Sequence, residues 1–333
     1  MQDTSAHAGP IPSSILVYVG RDLIGDGLIK LPFVRALRVA FPHARITWLA
    51  GIGETVYAGP LRPLVAGLID EVIQDAGIGR QAAELLRRPL PGRSFDLIID
   101  TQRRILTTLI LRRIAHARFL SAAAGYLLSD VKPGARDKKP PALIRQLLDL
   151  VELASGQPTQ PHAAAPLPAG MRETARQLLP DGRTYVGFAP GAGGRHKCWP
   201  LKRFIAIARQ QRTQGKVPVF ILGPAEAEWV ERVRTAVPSA KLPLQDANSA
   251  DPLLTLAIAE RLSVAVANDS GGGHLLAAGG VPLVSLFGPS APAKFAPLAK
   301  RLMIVTAQEF GASEMTAIPV DAVAAAVEAL LPS

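Results

Sequence analysis

Short β-rich runs alternate with stretches of helical apolar spacing along this chain. The run ILVYVG at 15–20 ends in the turn RDLIGDG. The stretch after this turn repeats apolar residues at the spacing of one helical face, at Leu28, Leu31, Val34, Leu37 and Phe41. A second β-rich run, ARITWLAG, follows at 44–51. A strand, a helix and a strand in this order predict a parallel sheet.

The same alternation continues to the end of the chain. In the first half it predicts further strands at 70–76, 95–100 and 117–123, and helices at 78–88, 103–114 and 143–154. In the second half it predicts strands at 184–190, 217–223, 263–269 and 281–288, and helices at 201–211, 226–237 and from 272. The segment 155–170, rich in Pro, Ala and Gly, is typical of a linker. The pattern therefore predicts an α/β protein of two Rossmann-like domains with a cleft between them, where ligands bind beyond the carboxyl ends of the strands.

Length and composition agree with two globular domains. A chain of 333 residues with 48% apolar residues is long enough for about two domains of ~150 residues. We place an N-terminal domain at 1–160, a C-terminal domain at 161–318, and at 319–333 a helix that can pack back toward the N-terminal domain. The single cysteine, Cys198, excludes a disulfide framework and a cysteine-rich metal site. The start MQDTSAHAGPIPSS lacks the regions of a signal peptide, and no apolar run approaches ~20 residues, so we expect a cytoplasmic location.

The charge is strongly basic and unevenly distributed. The formal net charge is +10, and the segment 101–145 alone carries ten basic and two acidic residues. Such an excess favours an anionic partner or an anionic membrane surface, although a solvated helix face would explain it equally simply. The segment lacks interleaved aromatic residues and any nucleic-acid reading motif, so a nucleic-acid partner is not expected.

The most distinctive segment is VANDSGGGHLLAAGG at 266–280. Its Asp-Ser-Gly-Gly matches the surroundings of the serine in trypsin-like proteases, but those enzymes are all-β proteins. The α/β-hydrolase elbow would need glycine where Asn268 stands. A strand running into Ser270 and three glycines before a helix instead favours a phosphate site, because small residues expose backbone N–H groups at the positive end of the helix. His274 can donate to the same phosphate. Alternatively, Asp269 or Ser270 only caps the helix.

Two further loops have the same setting between a strand and a helix. The loop APGAGGRHKCWP at 189–200 can form an anion nest with Arg195 and Lys197 as cations, or it is an ordinary surface loop. It is not a Walker A loop, because no Gly-Lys-Ser/Thr follows at the required spacing, and it is not a dinucleotide-binding Gly-x-Gly-x-x-Gly, because the last position is His196. In the first turn, IGDGLIKLP puts Asp26 at the carboxyl end of a strand. A carboxylate there is either a general base or a helix cap.

Together the three segments resemble glycosyltransferase family 9, the heptosyltransferases of the lipopolysaccharide inner core. The resemblance covers the opening ILVYVGRDLIGDGLIKLPFVRALRVAFPHARITWLA, the segment PGAGGRHKCWPLKRF and the segment NDSGGGHLLAAGGVPLVSLFGPSAP, the last being the most specific. It implies the GT-B fold, with an acceptor-binding first domain and a second domain that binds a nucleotide sugar. It also implies metal-independent transfer with inversion at the anomeric carbon and no cofactor.

The resemblance assigns roles to individual residues. Asp26 matches the catalytic aspartate. The implied donor-binding residues are Gly193, Gly194, Lys197, Glu226, Asp269, Ser270, Gly271 and His274. Gly193 and Gly194 stand where some heptosyltransferases carry hydroxyl residues, so we expect donor contacts there to be weaker or made by the backbone. The extra glycine in SGGGH stands where other members have bulkier residues, so a different sugar pocket is expected.

The predicted function is transfer of heptose, from ADP-heptose, to an anionic inner-core glycolipid. Arg103, Arg104 and Arg136 are the candidate acceptor-binding residues, and contact with the cytoplasmic face of the inner membrane is a further expectation. A GT-B enzyme with another nucleotide sugar or acceptor, and a non-catalytic nucleotide-sugar or glycolipid-binding protein, remain the alternatives. The oligomeric state is not predicted.

Overall fold

The computed structural model describes residues 10–134, 140–159 and 167–332. The chain forms two compact units, Met1–His162 and Ala163–Ser333. Each unit contains one five-stranded sheet with parallel strand pairing. The predicted α/β class is therefore confirmed. Within the described residues, no helix combines the length and the hydropathy that crossing a bilayer requires.

The first sheet has the spatial order β3-β2-β1-β4-β5. Its strands are β1 (Ser14–Val19), β2 (Arg45–Ala50), β3 (Glu71–Ile73), β4 (Ser94–Asp100) and β5 (Ala115–Ser121). Its helices are α1 (Ile24–Ala40), α2 (Ile105–Leu111) and α3 (Leu143–Ser155). Because β1 pairs with β2 on one side and with β4 on the other, the chain reverses its winding direction at β1 and β4. The loops after these two strands meet at a topological switch point, where open α/β sheets bind ligands.

The second sheet has the order β10-β9-β8-β6-β7. Its strands are β6 (Tyr185–Ala189), β7 (Val217–Phe220), β8 (Val264–Asn268), β9 (Leu283–Phe287) and β10 (Leu302–Thr306). Its helices are α4 (Ala169–Leu178), α5 (Leu201–Thr213), α6 (Val230–Ala236), α7 (Pro243–Asp246), α8 (Pro252–Ala259), α9 (Gly271–Ala278), α10 (Pro292–Phe295) and α11 (Val320–Leu330). Here the switch point lies between β6 and β8.

The strands read as continuous apolar runs because both faces of these sheets are covered. All five residues of β6, β8 and β9 are buried, as parallel sheets require when helices pack on both sides. The predicted C-terminal helix corresponds to α11. Its buried side chains, which include Val323, Val327 and Leu330, join the apolar core of the second unit.

Two predictions about helices of the first unit differ from the structure. The helix predicted at 78–88 is wrong, because only a 3₁₀ turn at Ala82–Leu86 forms there. Gly79 precedes this turn with φ +93°, and Leu90 follows it with φ +48° between two prolines, so the chain leaves helical geometry at both ends. The helix predicted at 103–114 is shorter in the structure and spans only Ile105–Leu111.

Several elements were not predicted, among them the short helices α7 and α10. Helix α4 begins at Ala169, within the segment interpreted as linker, and strand β10 follows β9 at the sheet edge. Helix α8 has the sequence PLLTLAIA, and all eight of its residues are buried. A helix buried on every side lacks the one-sided apolar spacing by which helices are identified in a sequence.

Candidate functional site

Asp26 lies in the first turn of α1, the helix that follows the carboxyl end of β1 after a short loop. Its Oδ2 accepts a hydrogen bond of 3.1 Å from the N–H of Leu23, so the predicted capping role is real. The side chain is half-buried, and Oδ1 accepts no hydrogen bond from the described part of the chain. One carboxylate oxygen thus fixes the side chain while the other can receive a proton.

A buried charge network lies beside this turn. Asp22 is 3% exposed and forms an ion pair with Lys30, which is 8% exposed. The second Asp22 oxygen accepts the indole N–H of Trp48 at 3.2 Å and the hydroxyl of Thr55 at 3.0 Å. Lys30 lies one helical turn after Asp26, so the network connects the β1–α1 loop to helix α1 and to the loop after β2.

The loop after β4 is anchored by Asp100, which is fully buried. Asp100 accepts hydrogen bonds from Thr108 Oγ1 at 2.6 Å, from Ser121 Oγ at 2.9 Å and from the Gln102 N–H at 2.8 Å. Burial raises its pKa to about 6, and the three donors oppose this shift by stabilising the carboxylate. Asp100 therefore holds the loop that leads to Arg103 and Arg104.

Two of the three candidate acceptor residues, Arg103 and Arg104, lie in the loop after β4, at the same edge of the first sheet as Asp26. Arg103 and Arg104 are exposed, and Arg103 lines a cavity of about 950 Å³ together with Tyr126 and Arg145. Arg136 lies outside the described residues. Two other arginines of the basic segment are neutralised by carboxylates within this unit. Arg112 pairs with Asp130 at 3.0 Å, and Arg145 pairs with Asp149 and Glu152 at 2.7 and 2.6 Å.

In the second unit, the loops after β6 and β8 meet in one ion pair. Lys197 Nζ lies 3.2 Å from Asp269 Oδ2, and the same oxygen accepts the Ser290 hydroxyl at 2.5 Å. Ser290 belongs to the loop after β9, so three neighbouring strands contribute to this cluster. The Lys197 side chain is 33% exposed and that of Asp269 is 11% exposed, which leaves the ammonium accessible to a ligand.

Asn268 joins the two glycine-containing loops through its side-chain amide. Its Oδ1 accepts the N–H of Trp199 at 3.1 Å, and its Nδ2 donates to the carbonyl of Pro190 at 2.7 Å. Asn268 is fully buried, and its partners lie at the two ends of the loop that carries Lys197. The amide thus fixes the position of this loop relative to Asp269, the next residue in the chain.

The segment after Asp269 starts helix α9. The Ser270 hydroxyl accepts the Gly273 N–H at 3.3 Å, so Ser270 is the helix cap that the sequence allowed as an alternative. Among the described residues, the N–H groups of Gly271 and Gly272 have no hydrogen-bond acceptor. These two N–H groups, at the positive end of the helix, are therefore available to donate hydrogen bonds to a ligand. His274 follows in the first turn and is 9% exposed.

Glu226 approaches the same edge from the loop after β7. Its Oε2 accepts the Gly223 N–H at 3.0 Å. A Cβ on Gly191 would lie 2.4 Å from Glu226 Oε1, so only glycine at 191 allows this approach. Gly193 and Gly194 follow in the same loop. Arg195 faces elsewhere, since it pairs with Glu228 at 2.5 Å and lies 4.4 Å over the Trp229 ring.

The structure therefore brings Lys197, Glu226, Asp269 and the start of α9 to one edge of the second sheet, and Asp26 with Arg103 and Arg104 to one edge of the first. Sequence reasoning missed Asp22, Asp100, Asn268 and Ser290. Position at a strand end signals Asp100 and Asn268, but nothing local marks the other two. No group of three or more His, Cys, Asp or Glu side chains that could hold a metal ion occurs among the described residues.

A family model described as glycosyltransferase family 9 (heptosyltransferase) matches residues 84–318. The chain belongs to glycosyltransferase family 9. This family 9 member is a glycosyltransferase, and the match covers both glycine-containing loops of the second unit. Asp26 lies before the matched residues.

Curated relatives and solved structures agree with this assignment. The lipooligosaccharide heptosyltransferase 2 of Haemophilus influenzae is 25% identical over 87% of this chain and 88% of its own. A family 9 glycosyltransferase from Veillonella parvula is 22% identical, with a TM-score of 0.75 over 97% and 98% of the two chains. The ADP-heptose LPS heptosyltransferase II of E. coli is 21% identical, with a TM-score of 0.66 over 95% and 98%. These likenesses show the GT-B fold that the sequence resemblance implied.

Proposed function

We propose that this enzyme transfers a heptose from ADP-heptose to an anionic inner-core acceptor of lipopolysaccharide, with inversion and without a metal ion. The observation that carries the proposal is the Lys197–Asp269 pair beside the free N–H groups of α9. The names of the relatives support the choice of sugar and acceptor, because H. influenzae and E. coli relatives are described as heptosyltransferases of lipooligosaccharide and LPS.

The donor diphosphate would bind at the carboxyl edge of the second sheet. An ammonium has three N–H donors, and Asp269 takes one from Lys197, so two remain for phosphate oxygens. The N–H groups of Gly271 and Gly272 add partial positive charge from the helix end. Fixed donors of this kind stabilise the negative charge that grows on the leaving diphosphate.

Glu226 would bind the nucleoside. Its carboxylate uses Oε2 to accept the Gly223 N–H, so Oε1 can accept a hydrogen bond from a ribose hydroxyl. The absence of a side chain at Gly191 keeps this oxygen close to the phosphate-binding loop.

Asp26 would act on the acceptor. As the acceptor hydroxyl oxygen bonds to the anomeric carbon, its proton passes to Asp26 Oδ1. The bond between the anomeric carbon and the diphosphate oxygen breaks, and the electron pair leaves with the diphosphate. The hydrogen bond from Leu23 to Oδ2 fixes the carboxylate for this transfer. Arg103 and Arg104 would attract the anionic groups of the acceptor.

The donor is tested by thermal shift with ADP, UDP, GDP and their sugar conjugates, each with Mg²⁺ or with EDTA. A ligand that binds only the folded protein raises the melting temperature. We expect a shift that is selective for ADP compounds and equal in EDTA. A larger shift with UDP or GDP would contradict the proposed donor, and loss of turnover in EDTA would contradict metal independence.

The base is tested by comparing Asp26→Asn with Asp251→Asn. Asp251 is a matched control because its carboxylate caps α8 by accepting the Leu253 N–H at 2.8 Å. We expect Asp26→Asn to keep ADP binding and to lower turnover by roughly 10²–10⁴-fold, the usual contribution of a general base. Asp251→Asn should keep its turnover. Equal activities of the two variants would refute the assignment.

A further inference from the structure

Helix α2 leaves apolar side chains in solvent on one face. Its inner face is buried, with Thr107, Ile110 and Leu111 turned into the unit. Its outer face carries Ile105, which is 54% exposed, and one turn later Leu109, which is 38% exposed. The two therefore form a stripe along the helix, because residues four apart lie on the same side.

The 3₁₀ turn at Ala82–Leu86 packs against this helix. Leu86 is 86% exposed, whereas its neighbour Leu85 packs against the core. The turn is joined to the end of α2 by a hydrogen bond of 3.1 Å from Arg113 Nε to the carbonyl of Arg87. Three of the nine exposed large apolar residues among the described parts of the chain thus lie on these two adjoining elements.

Uncompensated positive charge borders these side chains. Arg87, Arg88 and Arg113 are exposed, and none of them forms an ion pair within the described residues. The nearby carboxylate of Glu84 is engaged by the N–H groups of Gly79, Arg80 and Gln81 at 2.5–2.9 Å. The surface therefore combines exposed apolar side chains with guanidinium groups that no carboxylate among the described residues neutralises.

We propose that the surface formed by Leu86, Arg87, Ile105, Leu109 and Arg113 binds an anionic membrane. Aliphatic side chains enter the boundary between headgroups and acyl chains, while guanidinium groups contact lipid phosphates. Apolar burial and electrostatic attraction both strengthen membrane binding. A protein partner fits less well, since a stable interface needs roughly 800 Å² per partner and three partly exposed aliphatic side chains supply less. The inference rests on the proposed function in one respect: if the acceptor is linked to a lipid, a bilayer bound at this surface would hold that acceptor near Arg103 and Arg104.

The test is co-sedimentation of the whole protein with vesicles of phosphatidylcholine alone and of phosphatidylcholine with one third phosphatidylglycerol. We expect preferential binding to the anionic vesicles, weakened by high salt. Arg87→Gln with Arg113→Gln should lower the partition coefficient by about fivefold per charge. Ile105→Gln with Leu109→Gln should lower it by about tenfold or more. The matched controls are Val39→Gln, at an apolar residue 74% exposed on α1, and Arg232→Gln, at an exposed arginine of the second unit.

Several results would overturn the inference. Equal binding to neutral and anionic vesicles would do so, as would equal losses in the surface variants and the controls. Self-association that Ile105→Gln with Leu109→Gln abolishes, without vesicle binding, would identify the surface as a contact between copies. Turnover of a soluble, delipidated acceptor must be unchanged in the surface variants. Vesicle binding without any heptosyl transfer would instead refute the proposed function and leave this inference standing.

Discussion

Replacing Asn268 removes both hydrogen bonds that fix the loop carrying Lys197. In Asn268→Ala, the Trp199 N–H and the Pro190 carbonyl lose their partners at buried positions. A buried polar group left unpaired costs about 1–3 kcal/mol. We therefore expect the second unit to lose about 2–5 kcal/mol, a large part of the ~5–15 kcal/mol that stabilises a domain.

The aspartate variant gives a sharper signature. In Asn268→Asp the carboxylate still accepts the Trp199 N–H, but its other oxygen faces the Pro190 carbonyl instead of donating to it. Burial and this repulsion raise the folded-state pKa of the new carboxyl above its unfolded value. The variant should therefore regain stability as the pH falls, because the protonated carboxyl can donate to Pro190, and lose it as the pH rises.

The assay must resolve the two units, because a chain with two units need not unfold in one step. Hydrogen exchange followed by mass spectrometry reports the second unit separately, and calorimetry gives the affinity for ADP. Asn268→Ala should bind ADP about tenfold more weakly or worse, since Lys197 loses its fixed position. Gln211→Ala is the control, because it removes another fully buried amide of this unit, which donates to Glu328 at 2.6 Å. Unchanged ADP affinity in Asn268→Ala, or a similar loss in Gln211→Ala, would refute the reasoning.

Three further variants test other contacts. Lys30→Met should destabilise the first unit by about 3–5 kcal/mol, measured by urea unfolding, because it leaves the Asp22 carboxylate buried without its ion-pair partner. The double variant Asp22→Asn with Lys30→Met should recover most of that stability. Because the folded-state pKa of Asp100 is raised, the parent protein should lose about 3 kcal/mol of stability as the pH rises from 3.8 to about 6. Asp100→Asn should not show this loss, and an unchanged pH profile of stability would contradict the reasoning. Gly191→Ala should raise the donor KM with little change in kcat, because its Cβ displaces Glu226, and an unchanged KM in steady-state kinetics would contradict that.

Much of the fold was determined by the sequence itself. Short apolar runs followed by glycine-containing turns and helices could form only parallel α/β units, because each run must be buried on both faces. The same local logic located Asp26, Lys197, Asp269 and Ser270, since a strand end followed by a helix start is a local feature. The roles of these residues remain predictions to be tested by the variants above.

Contacts between distant segments were decided only by the tertiary structure. Asn268 lies 69 and 78 residues from its partners Trp199 and Pro190, and Ser290 reaches Asp269 from the next strand. Asp22 and Lys30 look like solvated charges in the sequence but are buried together. Strand order determines which loops meet at a sheet edge, and apolar periodicity carries no information about strand order. The sequence could therefore identify the loops of the site but not the side chains that hold them together.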